Sequence, residues 1–159
     1  MASPVSLTFS EDRRGALEEL ERIEDGSGWV NVSAMVEEDV EPLRVNVWGL
    51  RSYRGVAVAT WVPAEPREGP PQAPASTLGI LHSRGRLGPD ALREIFGSTP
   101  IRPTQDHPSR GVLADVPPGT SLDIVLDTLC RAAMSLCDYT TTGRWRLERF
   151  SRTVRGRRR

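Results

Sequence analysis

Two short segments concentrate the residue types that handle anions and protons. His82-Ser83-Arg84-Gly85-Arg86 and Asp106-His107-Pro108-Ser109-Arg110-Gly111 carry histidine, serine, arginine and glycine in the same order. Each is expected in a loop beside a strand, where functional groups are commonly mounted. If the two strands are neighbours, His82, His107, Arg84 and Arg110 converge on one anion, with Arg86 close by. The guanidiniums would grip a phosphoester or carboxylate and an imidazole would move protons. Two features oppose this reading. Arginine-glycine loops are mostly solvated turns, and the helix expected after the first segment opens on Pro89-Asp90, which offers an anion a missing N–H and a negative charge.

Covalent and metal chemistry find less support. The sequence has no GxSxG elbow, HExxH, CxxC or glycine-rich phosphate loop. Asp106 and His107 are adjacent, so an extended backbone points their side chains apart, which makes Ser83 and Ser109 poor candidates for a nucleophile. Cys130 and Cys137 stand two turns apart in one expected helix, about 10 Å along its axis, too far for a disulfide or for one zinc ion to reach both. They read as buried small hydrophobes in a reducing cytoplasm. No metal and no cofactor is expected. All 21 basic residues are arginine, which removes Schiff-base lysines, lysine general bases and the P-loop lysine together.

A second set of residues suits recognition of a macromolecule. Trp29, Trp48 and Trp61 fall one in each of three strand-like runs, on or near the face opposite the valines. Such a row makes either a second core or a stacking surface. The C-terminus interleaves Arg144, Arg146, Arg149 and Arg152 with Trp145 and Phe150 and ends in Arg155, Arg157, Arg158 and Arg159, a pattern suited to phosphates and bases or to an acidic protein. The net charge of zero hides a dipole: residues 1–43 hold eleven acids and three arginines, residues 144–159 one acid and eight arginines. That polarity matters outside the molecule only if the arginines do not fold back on the first helix's carboxylates.

The elements that must position these groups follow from periodicity. Residues 10–25 read as a helix with Ala16, Leu17, Leu20 and Ile23 on one stripe, a Thr8/Glu11 capping box and a stop at Gly26-Ser27-Gly28. Strands are expected at 29–36, 43–50 and 55–62, burying Val30/Val32/Ala34/Val36, Leu43/Val45/Val47 and Val56/Val58/Thr60/Val62, with a hairpin link at 51–54. Residues 63–76 carry five prolines and two PxxP matches and read as an exposed extended loop. A fourth strand at 77–82, a helix from Pro89 to Phe96, an irregular stretch at 98–109 and a fifth strand at 111–116 follow. Thr120 with Asp123 caps the longest helix, 121–137, and residues 144–150 form a last, edge-like strand.

The order α-β-β-β-β-α-β-α-β predicts an α+β fold: a single, mostly antiparallel sheet with helices on one face, spanning residues 1–150 and followed by a basic tail at 151–159. The 159 residues suit one domain, and 38% hydrophobic with 26% charged residues is a globular composition. No segment has the charge and length of a signal peptide or a membrane span. The composition favours a cytoplasmic, non-enzymatic interaction or adaptor module that docks another protein, or a second copy, through its sheet face and charged ends. Two other readings stay open: a nucleic-acid-binding protein using the arginine-rich end and the tryptophans, and a small enzyme or binder of an anionic metabolite using His82 and His107.

Overall fold

The computed structural model describes residues 3–43, 55–65 and 76–152. Among these residues ten elements run in the order β1 (Val5–Phe9), α1 (Arg14–Glu21), β2 (Gly28–Val36), β3 (Val58–Val62), β4 (Ser76–Leu81), α2 (Pro89–Phe96), β5 (Arg102–His107), β6 (Gly111–Val116), α3 (Leu122–Ser135) and β7 (Thr141–Ser151). The seven strands form one antiparallel sheet in the order β1-β7-β2-β3-β4-β6-β5, with the three helices on one face. The α+β class is as the periodicity predicts.

Side chains directly opposite each other on paired strands share a face. The pairs Val32↔Leu147, Val32↔Ala59, Ala59↔Ile80 and Ile80↔Val112 therefore draw one continuous apolar row across five strands. These residues are essentially solvent-free and join Val125, Leu126, Leu129 and Ala133 of α3 in the core. Each large side chain so buried contributes about 1.5–3 kcal/mol. The helix earns this place by being apolar over most of its circumference. Its one deeply buried hydroxyl, Thr128, donates to the Ile124 carbonyl one turn back at 2.7 Å.

Several expectations are corrected. Residues 5–9 and 102–107 form strands that the periodicity did not reveal. β5 is Arg-Pro-Thr-Gln-Asp-His, a polar edge with no apolar residue to set a period, and β1 supplies the edge at the other side of the sheet. Residues 144–150 are not an edge: β7 lies between β1 and β2, because the N-terminal strand adds outside it. In β3 the core face is Ala59 and Trp61, continuing buried Ala57 just before the strand, and Val58, Thr60 and Val62 face the other way. The chain is apolar on both sides there, and the small alanines are where α3 comes close. Thr8 lies inside β1, so it caps nothing, and α1 begins without a side-chain cap. Ser121, not Thr120, caps α3, accepting from the Ile124 amide at 3.3 Å. Most of the strand expected at 43–50, its hairpin link and most of the proline-rich loop lie outside the described residues. No helix among the described residues is long and apolar enough to cross a membrane.

Candidate functional site

The sheet order brings the two histidine segments to one end of the molecule. His107 pairs with Gly111, and His82 follows directly on β4, whose Ile80 pairs with Val112. The two histidine backbones thus flank β6, about 10 Å apart at ordinary strand spacing. Asp106 bridges the segments: its two carboxylate oxygens accept the Leu87 and Gly88 amides, each at 3.0 Å. Desolvation works against the charged carboxylate, but those two amides and the positive charge of Arg86 outweigh it and hold Asp106 below the usual aspartate range.

The side chains at this end secure turns. His107 Nδ1 accepts from the Ser109 amide (3.0 Å) and the Arg110 amide (3.1 Å) and lies 3.0 Å from the Ser109 hydroxyl. His82 Nδ1 accepts the Arg84 amide at 3.2 Å. Both rings do what an asparagine does in an Asx turn. Asp106 spends its carboxylate on loop 87–88, so no acid orients His107 as a base, and Ser109 shares the imidazole nitrogen with two amides. Arg84 does not turn toward Arg110: its Nε donates to Asp138 at 3.4 Å. Asp138 also accepts the Ser83 hydroxyl and, at 2.9 Å, the amide of buried Gly55. Its own amide returns a bond to the Gly55 carbonyl at 3.0 Å. Sequence reasoning missed this clamp, whose partners stand 83 and 55 residues away.

The turn-capping role has a direct test. His107→Ala is expected to cost about 1 kcal/mol in denaturant unfolding, whereas His107→Asn, which offers an acceptor at the same distance from the backbone, stays within about 0.5 kcal/mol of the parent. Equal losses in both variants would show that the imidazole does something other than accept those amides.

The tryptophans and C-terminal arginines separate onto the two faces of the sheet. Trp61 is only 3% exposed and belongs to the core, so it is no recognition residue. Trp145 lies under the helices, stacked on Phe9 at 5.7 Å, with Arg13 over its ring and its Nε1 donating to the Cys130 carbonyl at 3.2 Å. Arg149, on the same face, forms an ion pair with Glu19 of α1, both side chains less than one-fifth exposed. Arg152 pairs with Glu65. Two of the basic residues expected to reach outward are therefore neutralised within the chain. Trp48, Arg155, Arg157, Arg158 and Arg159 lie outside the described residues.

What faces outward lies on the helix-free side. Trp29 stacks on Phe150 there, with centroids 5.2 Å apart and rings 5° from parallel. Beside this pair, Arg146 and Glu148 of β7 share the face with Ser6 and Thr8 of β1 and Asn31 and Ser33 of β2. Arg144, exposed at the start of β7, donates to the Thr8 hydroxyl at 3.1 Å. The segment after β2 rises over this surface and encloses a cleft of about 690 Å³ above Asn31, Ser33, Arg146 and Glu148. A smaller hollow of about 250 Å³ continues it beneath Glu38, Asp39 and Glu41. Ser33 and Arg146 line both. Arg146 and Glu148 form no ion pair with any described residue.

No protein-family model matches the chain, and comparison with curated proteins and with solved structures likewise finds no match. The chemistry of the cleft must therefore speak for itself. Among the described residues its lining combines Phe150 of the aromatic pair, hydroxyl and amide groups, and the acids Glu38, Asp39, Glu41 and Glu148 around Arg146, with Arg144 at its border, a predominance of carboxylates that favours a cationic, extended occupant. Cys130 adds no reactivity, because burial raises its thiol to about 12. No group of three or more histidine, cysteine, aspartate or glutamate side chains able to hold a metal ion occurs among the described residues.

Proposed function

We propose that this chain is a non-enzymatic interaction module that docks a cationic segment of another protein on the helix-free face of its sheet. The observation that carries the reading is the composition of the cleft: Glu38, Asp39, Glu41 and Glu148 surround Arg146 beside the stacked Trp29 and Phe150. Carboxylates attract arginine and lysine side chains, the aromatic pair offers them a cation–π surface, and the exposed hydroxyls of Ser6 and Thr8 border the cleft where an extended backbone would lie. Leu113, 42% exposed on the same face, continues the surface toward β6. The acids repel a phosphate backbone, so this face does not suit nucleic acid, and both histidine rings are engaged in turns rather than poised over an anion. Free Cys130 and Cys137 are in keeping with a reducing cytoplasm, where we place the protein.

The test is native co-purification followed by an ionic-strength series with and without nuclease. A cationic protein partner is expected to remain after nuclease and to leave as salt rises from about 0.1 to 1 M, where the screening length falls from about 10 Å to 3 Å. A partner removed by nuclease alone would reinstate the nucleic-acid reading. Turnover of a phosphorylated or carboxylate metabolite, lost in a His82→Ala, His107→Ala variant, would reinstate the enzymatic one.

A further inference from the structure

The two edges of the sheet are built differently. Along β5, Pro103 removes a backbone donor, the register shifts between Pro103 and Gln105, and Arg102 and Asp106 bring charge. Those are the usual guards against a strand adding outside. β1 has none of them. Val5-Ser6-Leu7-Thr8-Phe9 is uncharged, free of proline and regular in register, and among the described residues its backbone hydrogen bonds go to β7 alone. Among the described residues nothing pairs with its outer N–H and C=O groups, and Val5 is 43% exposed beside them.

We propose that β1 pairs antiparallel with β1 of a second copy across a two-fold axis perpendicular to the sheet. Such an axis keeps like faces together, so it opposes residues whose numbers sum to an even value. With Leu7 on the axis, Leu7 meets its own copy, Val5 meets Phe9 and Ser6 meets Thr8. Apolar side chains then oppose apolar ones on the helix-covered side, hydroxyls oppose hydroxyls on the open side, and no like charges meet. The strand is its own complement, which is why a second copy is the occupant chosen over an unrelated peptide. The product is a continuous fourteen-stranded sheet with all helices on one side. Its two open-face clefts flank the axis, each bordered by its own Ser6 and Thr8.

Sedimentation equilibrium on the full chain tests the pairing, using two double variants at the exposed positions 6 and 8. The parent is expected to form a dimer that dissociates on dilution. Ser6→Lys with Thr8→Lys places lysine opposite lysine at both symmetry-related contacts and is expected to weaken the dimer at least about tenfold. Ser6→Lys with Thr8→Glu places lysine opposite glutamate, while within one chain each new charge faces an opposite one, Glu148 or Arg146. That variant is expected to dimerise at least as well as the parent. Circular dichroism melts confirm that both variants are folded. A parent monomeric at every concentration, a dimer indifferent to the lysine pair, or a folded lysine/glutamate variant as monomeric as the lysine pair would each overturn the proposal.

Discussion

Gly111→Ala is expected to destabilise the fold by about 3–5 kcal/mol, read as the shift in denaturant midpoint at constant slope. Gly111 sits at φ +80°, where an L side chain costs about 1–2 kcal/mol. A Cβ there would lie 2.0 Å from the Ile80 carbonyl oxygen, a backbone atom of β4 that no rotamer change can move aside. Relieving the overlap means parting β4 from β6 at the end where both histidine turns and the Asp106 bridge are anchored. The larger penalty therefore comes from lost pairing. Gly119 has nearly the same φ, +81°, with open space around the corresponding Cβ. Gly119→Ala should show the conformational cost alone, about 1–2 kcal/mol. Equal losses at the two positions would mean that the close approach of Gly111 to β4 has no energetic weight.

Asp138→Ala is expected to cost about 3 kcal/mol at neutral pH and to flatten the acid limb of the stability curve. The carboxylate, 16% exposed, ties the end of α3 to Gly55 before β3 and to Ser83 and Arg84 after β4. Hydrogen bonds to a charged group contribute about 1.5–3 kcal/mol, and removing the acceptor strands the buried Gly55 amide. Desolvation pushes the Asp138 pKa up, but the Ser83 hydroxyl, the Gly55 amide and Arg84 more than offset it, so the folded value lies below the ordinary 3.8. A depressed folded pKa gives stability that is present above the unfolded value and lost as pH falls through the folded one. Asp106 has the same sign, so the parent should lose stability below about pH 4 in proportion to both groups. Asp138→Ala should remove part of that slope, and a slope unchanged from the parent's would remove Asp138 as a contributor.

Where one face of an element is apolar and the other polar, the sequence reads well. The stripe on α3, the alternation in β2 and the punctuated helix Pro89–Phe96 all appear as expected. β3 reads poorly because Val58-Ala59-Thr60-Trp61-Val62 is apolar on both sides, and only the approach of α3 decides that the alanines and Trp61 turn inward. β5 carries no pattern at all, since an edge strand of polar residues buries no face. The Asp138 and Asp106 clamps join loops far apart in the chain and leave no local period to detect. The inward turn of Arg149 follows from its parity with Leu147, but its ion pair with Glu19 depends on α1 lying over β7, which no local pattern specifies.

That ion pair also decides which charges remain for a partner. With Arg149 and Arg152 paired inside the chain, the described charges left on the open face are Arg144, Arg146 and the carboxylates around the cleft. The most direct measurement compares quantitative co-purification by two folded charge-reversal variants. One is Glu41→Arg with Glu148→Arg in the cleft; the other is Glu18→Arg with Asp123→Arg on exposed positions of the helical layer. A cationic segment seated on the open face predicts at least about a tenfold loss of partner with the first pair and parent-like recovery with the second. Full recovery with the cleft reversed, or loss only with the helical layer reversed, would contradict it.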